Sequence, residues 1–203
     1  MTADDRPPTD AFREVGRRRI AAGDARTAVL RRTYDAPIED VWAACTEPER
    51  LDRWFLAVTG DLREGGRFTL AGNAGGEIVR CEPPRRLELM WIYGDRPVDE
   101  VRLRLETAGD GATLLEIEHA TVSTEVEWEG RMLDVIPGVG SGWELPLAWS
   151  LTRYLRGELP DAPAVEWYEP TPEHMAFAER SAEAWSALLG ARENRGPDGG
   201  ARS

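Results

Sequence analysis

The chain has 203 residues, 41% of them hydrophobic, and a formal net charge of −12. That length accommodates one well-buried domain with extensions but not two ordinary domains. The negative balance excludes nucleic acid and anionic membrane as partners unless a basic patch compensates, and the arginines lie scattered among carboxylates, with Arg17-Arg18-Arg19 as the one basic run.

Residues 1–26 are rich in Asp, Arg, Ala and Pro and poor in large apolar groups, so they are expected to form a flexible tail, with at most a short helix around Phe12 to Ile20. From Thr27, TAVLRRTYDAP reads as a first strand closed by Ala36-Pro37. Pro37 suits a helix start, Glu39 and Asp40 suit the positive end of its dipole, and IEDVWAACTEPERLDRWF reads as two short helices broken near Pro48. Between Leu56 and Thr121, turn signals at Glu64-Gly65-Gly66, Asn73-Ala74-Gly75-Gly76, Pro83-Pro84, Gly94-Asp95 and Gly109-Asp110-Gly111 separate short β-type runs. Their spacing predicts about six strands of antiparallel meander, because the connections are too short for the helical crossovers of a parallel sheet. In TLLEIEH, Leu115, Ile117 and His119 share one face while Glu116 and Glu118 share the other. A polar, irregular stretch (Glu125 to Asp134) is followed by a long helix in IPGVGSGWELPLAWSLTRYLRGEL, with Ser141 as its cap. Residues 158–170 form a Pro-rich linker, and 171–190 a last helix whose stripe of Met175, Ala178, Ala182, Trp185 and Leu189 must dock on this domain or on a second copy. Residues 191–203 are expected to be a disordered tail.

The order is strand, two short helices, meander, long helix. VLRRTYDAPIEDVWAACTEPERLDRWF, GDLREGGRF, GGEIVRCEPPRRLELMW and SGWELPLAWSLTRYL resemble successive stretches of the bacterial activator-of-heat-shock-protein-90-ATPase-like family within the START-like (SRPBCC) superfamily. The resemblance covers residues 27–157 and implies an α+β helix-grip fold, a curved antiparallel β-sheet wrapped around a long C-terminal helix to enclose a cavity. It also implies that this cavity can hold a lipid-like or aromatic molecule, and the eukaryotic namesakes bind the chaperone. Fold alone assigns neither activity.

Trp54, Phe68, Trp91, Tyr93 and Trp143, together with His119, are the candidate ligand-binding wall, although each ring equally suits a plain core. His119 is a satisfied core histidine, a polar anchor for a ligand or, in an enzyme, the one candidate acid–base group. Arg67 and Arg80 either reach inward to hold a carboxylate or lie outside the sheet. GVGSGW either binds an anion or forms a flexible lip to the cavity. The other histidine, His174, lies outside the core unit, and Cys45 and Cys81 read as free buried thiols, so no metal and no cofactor are expected. No run approaches the roughly 18 apolar residues of a spanning helix, and MTADDRPPTD lacks a signal pattern, so the expected location is cytoplasmic, with no membrane partner. The expected function is binding of a small hydrophobic or amphipathic (lipid-like, aromatic or polyketide-like) ligand in that cavity, by a monomer or homodimer. The alternatives are a cyclase/dehydratase-type enzyme and a chaperone-interacting regulator.

Overall fold

The computed structural model describes residues 11–109, 111–128 and 130–193. Eight strands form one antiparallel sheet: β1 (Phe12–Ile20), β2 (Gly23–Tyr34), β3 (Val58–Gly60), β4 (Arg67–Leu70), β5 (Gly75–Glu82), β6 (Arg86–Ile92), β7 (Asp99–Thr107) and β8 (Thr113–Thr121). Their spatial order is β1-β2-β8-β7-β6-β5-β4-β3. The six strands from β3 to β8 are the meander that the turn residues predict, and β2 completes the sheet by pairing with β8, Leu30 opposite Ile117 and Ala28 opposite His119. Helices α1 (Ile38–Thr46) and α2 (Pro48–Leu51) intervene between β2 and β3. After β8 come a small hairpin of β9 (Glu125–Trp128) and β10 (Arg131–Asp134), then α3 (Val135–Leu145), a π-helical turn (Pro146–Leu151), α4 (Thr152–Leu155), α5 (Ala164–Trp167) and α6 (Pro172–Glu193). This is the helix-grip arrangement.

Alternation gives the sheet an apolar inner face, with Leu30, Val101, Leu103, Leu105, Leu115 and Ile117 buried. Its outer face is a lattice of ion pairs: Arg18 bonds Glu100 and Glu118, Arg31 bonds Glu14 and Glu116, and Arg102 lies within reach of Glu88, Glu100 and Glu118. Residues 12–20 are therefore strand, not tail or helix. Within β1 only Val15 and Ile20 are buried, and the rest of its hold comes from backbone pairing with β2 and from arginines whose stems cross to the neighbouring strands. Residues 1–10 of the expected tail, and 194–203 of the expected C-terminal tail, lie outside the described residues; residues 191–193 belong to α6.

The stretch from Glu125 to Asp134 is the β9–β10 hairpin, and the long helix begins six residues before Ser141. Asp134 is its cap, accepting a 2.9 Å bond from the Ile136 amide, while the Ser141 hydroxyl instead donates to the Pro137 carbonyl at 2.7 Å. Pro146 lacks an N–H and would crowd the preceding turn of an α-helix; the π-helical turn that starts at it relieves the conflict. The Leu147 carbonyl inside that turn accepts from the buried Tyr34 hydroxyl at 2.9 Å.

Helix α6 docks on α3 and β1 of its own chain. Its buried face carries Ser181 and Trp185, whereas Met175, expected on that face, is 58% exposed. The offset follows from a buried carboxylate. Glu144 of α3, 1% exposed, is bonded by Arg13 of β1, by the Ser181 hydroxyl at 2.7 Å and by the Trp185 indole N–H at 3.2 Å. The Trp185 ring lies over Gly140, where an added Cβ would sit 2.3 Å from the ring. Gly140 is thus a seat for an indole rather than a flexible lip, and no helix N-terminus is present there to bind an anion. Alanine in a helix ordinarily gains about 1 kcal/mol over glycine, but a methyl forced into this contact costs about 1–3 kcal/mol. Gly140→Ala is therefore expected to lower stability in urea denaturation, and a stabilised variant would show that Trp185 is not seated there.

Candidate ligand site

Between the inner face of the sheet, α1–α2 and the long helix lies an apolar cavity of about 130 Å³. Four expected wall residues line it: Trp54, Phe68, Trp91 and Trp143. The strand register explains how two of them meet. Phe68 of β4 and Trp91 of β6 both lie opposite Gly76 of β5, which has no side chain to separate them, and their rings approach to 6.0 Å across it. A Cβ on Gly76 would lie 1.8 Å from the Met90 carbonyl oxygen and 3.3 Å from Phe68. The Trp54 indole is pinned from behind by a 2.9 Å bond to the Ala44 carbonyl.

Tyr93 is not part of this wall. β6 ends at Ile92, the alternation ends with it, and the Tyr93 ring is 48% exposed beneath the Arg96 guanidinium, 5.7 Å from its centroid. Arg67 is exposed, and Arg80 lies outside as well. A bulge between Ile78 and Arg80 places Val79 and Arg80 outward in succession, so that Arg80 pairs with Glu82 while Cys81 turns into the cavity. Without that extra residue Arg80 would have pointed inward.

His119 is buried and fully engaged. The Trp143 indole N–H donates to its Nδ1 at 3.0 Å, and its Nε2 lies 2.9 Å from Asp99 Oδ2. Indole nitrogen is only a donor, so Nδ1 carries the lone pair and Nε2 the proton, which it donates to Asp99. The imidazole thereby orients Trp143, whose ring lies 5.2 Å from Trp91 and stacks on Phe55 at 6.0 Å. Asp99 and Phe55 are site residues that the sequence reading did not single out. The signal for Asp99 was its place two residues before Val101, which lies opposite His119; for Phe55 it was adjacency to Trp54. Among the described residues no group of three or more His, Cys, Asp or Glu is placed to hold a metal, and no helix is long and apolar enough to cross a membrane.

Residues 35–156 match the family model of the Activator of Hsp90 ATPase homolog 1-like protein. Among solved structures, the crystal structure of CalU16 from Micromonospora echinospora is 45% identical with a TM-score of 0.75, over 89% of this chain and 99% of that one. Its solution NMR structure is 46% identical with a TM-score of 0.75, over 94% and 99%. DynU16, a protein in the dynemicin biosynthetic locus, is 26% identical with a TM-score of 0.53, over 66% of this chain and 49% of that one. An HSP90 activator from Plasmodium falciparum, 18% identical with a TM-score of 0.54 over 66% and 97%, shares the fold. No curated protein sequence matches the chain.

Both free cysteines face the cavity, and burial pushes both thiols up, Cys45 from 9.0 to about 12. A thiol held above its unfolded value keeps its proton in the folded chain where the unfolded chain has lost it. The stability contributed by Cys45 is thus complete below about pH 9 and is lost as pH rises towards about 12. Urea denaturation between pH 8 and 11 should show this fall, and Cys45→Ala should flatten it. Equal slopes in the two proteins would show that the thiol is not desolvated.

Proposed function

Since the chain belongs to the activator of Hsp90 ATPase homolog 1-like protein family, we propose that it binds a small hydrophobic or amphipathic molecule, lipid-like or aromatic, in the interior cavity and does not transform it. The observation that carries this reading is the cavity. Protein interiors are close-packed, and an unfilled apolar space of about 130 Å³ among core side chains departs from that packing. Its wall is aromatic and aliphatic apart from Thr46 and the two thiols, a lining that favours an apolar ring over water. Two free thiols fit a cytoplasmic location.

A second reading, an enzyme of the cyclase/dehydratase type, draws support from the Asp99–His119 pair, which resembles an oriented base. In this arrangement the base nitrogen is occupied by Trp143. Catalysis would need that bond broken, so Trp143→Phe should raise rather than lower any turnover. A chaperone-regulating role has the family match and the fold shared with an HSP90 activator in its favour, but no feature of the site described above.

Titration of intrinsic tryptophan fluorescence with 2-(1-naphthyl)ethanol is expected to give a micromolar Kd. Leu103 lies on the cavity wall, and Leu103→Trp fills the space; it should weaken binding by about tenfold or more while thermal melts stay unchanged or rise. Equal binding by wild type and the filled variant, or no binding by wild type, would sink the proposal.

A further inference from the structure

A second, larger recess of about 520 Å³ lies on the outer side of the Trp54–Phe55 pair, walled by Leu145 and Pro146 of the long helix and by Val165 and Tyr168 from the linker region. Trp54 and Phe55 border both this cleft and the inner cavity. The two residues are held unequally. Trp54 is 5% exposed and hydrogen-bonded through its indole, whereas Phe55 is half-buried and its ring is held by apolar packing without a hydrogen bond, tilted at 5.5 Å from Trp54 and stacked at 6.0 Å on Trp143.

Asp52 is the one charged residue among those lining the cleft. The residue is half-buried and its backbone carbonyl is engaged by the Ala164 amide at 2.7 Å, but its carboxylate has no ion pair or hydrogen bond among the described residues. The neighbouring Arg53 is turned away, bonded to the Pro160 carbonyl and Asp161. At the aromatic end of the inner cavity the Trp143 indole and the Nδ1 of His119 satisfy each other.

Resting on the binding function proposed above, we infer that cavity and cleft are two compartments of one site for an amphipathic amine: its apolar ring passes a displaced Phe55 into the inner cavity, and its ammonium group pairs with Asp52 in the outer cleft. A carboxylate at the mouth of a passage whose lining holds no other charged residue selects cations and rejects anions of the same shape.

Three probes that differ only in their end group test this: 2-(1-naphthyl)ethylamine, 2-(1-naphthyl)ethanol and 1-naphthylacetate, each titrated into the full chain at 0.15 M salt. The amine should bind roughly fivefold tighter than the alcohol, the ratio expected of a partly exposed ion pair, and the acetate more weakly than the alcohol. Asp52→Asn should bring the amine to the affinity of the alcohol and leave the alcohol unchanged. Glu106→Gln, at an exposed position on β7, should preserve the amine preference and so exclude the general field of a chain of charge −12. In stopped-flow mixing Phe55→Ala should accelerate association of all three probes. An amine preference that is absent in wild type, survives Asp52→Asn or disappears in Glu106→Gln overturns the pairing, and an unaltered association rate in Phe55→Ala overturns the passage. If the alcohol binds but shows no such dependence, only this inference fails; if the alcohol does not bind at all, the binding function fails with it.

Discussion

A carboxylate removed from water depends on the bonds it accepts, and the bonds of Glu144 fix how the long helix sits against the first strand and the last helix. Arg13 reaches it from β1, Ser181 and Trp185 from α6, so one side chain ties the first strand, the long helix and the last helix together. Removing one partner of such a group costs about 3–5 kcal/mol, because the remaining charge stays buried. The neighbouring residue is Trp143. Successive residues on a helix are rotated by about 100°, so the contact that holds Glu144 against α6 and β1 also aims the Trp143 ring at His119 and the cavity. Clamp and wall are consecutive positions of one helical turn.

Inside the sheet, the ring nitrogens of Trp54, His119 and Trp143 are bonded to partners within the chain. The indole of Trp143 is bonded to His119, His119 to Asp99, and the indole of Trp54 to a carbonyl of α1. What remains is aromatic faces and aliphatic edges, which recognise shape and apolar area.

The central strands were legible because their turns are punctuated by Gly, Pro and Asp and because one face of the sheet is apolar. The outer strand β1 was not, since its sequence FREVGRRRI places charge on nearly every position and its partners lie far along the chain: Arg18, for example, bonds Glu118 and Glu100. The start of the long helix was hidden for another reason. Gly138, Gly140 and Gly142 read locally as a loop, and the benefit of Gly140 appears only when Trp185, forty-five residues later, is laid over it. Four of the six expected wall residues line the cavity. Inward alternation places Phe68 and Trp91, while the end of β6 and the bulge after Ile78 are backbone events that no alternation pattern records, and they remove Tyr93 and Arg80 from the interior.

The pairing of β2 with β8 bears on where this domain can be cut. The family match begins at residue 35, one residue beyond Tyr34, where β2 ends. The pairing runs from Arg26 opposite Thr121 to Tyr34 opposite Thr113. A fragment starting at Asp35 would leave β8, the strand that carries Leu115, Ile117 and His119, as a long raw edge with unpaired amides and carbonyls and without the Ala28 and Leu30 side chains that cover its inner face. Such an edge recruits strands from other molecules. The N-terminal hairpin therefore covers the edge of β8, a duty invisible in a boundary drawn from sequence similarity alone.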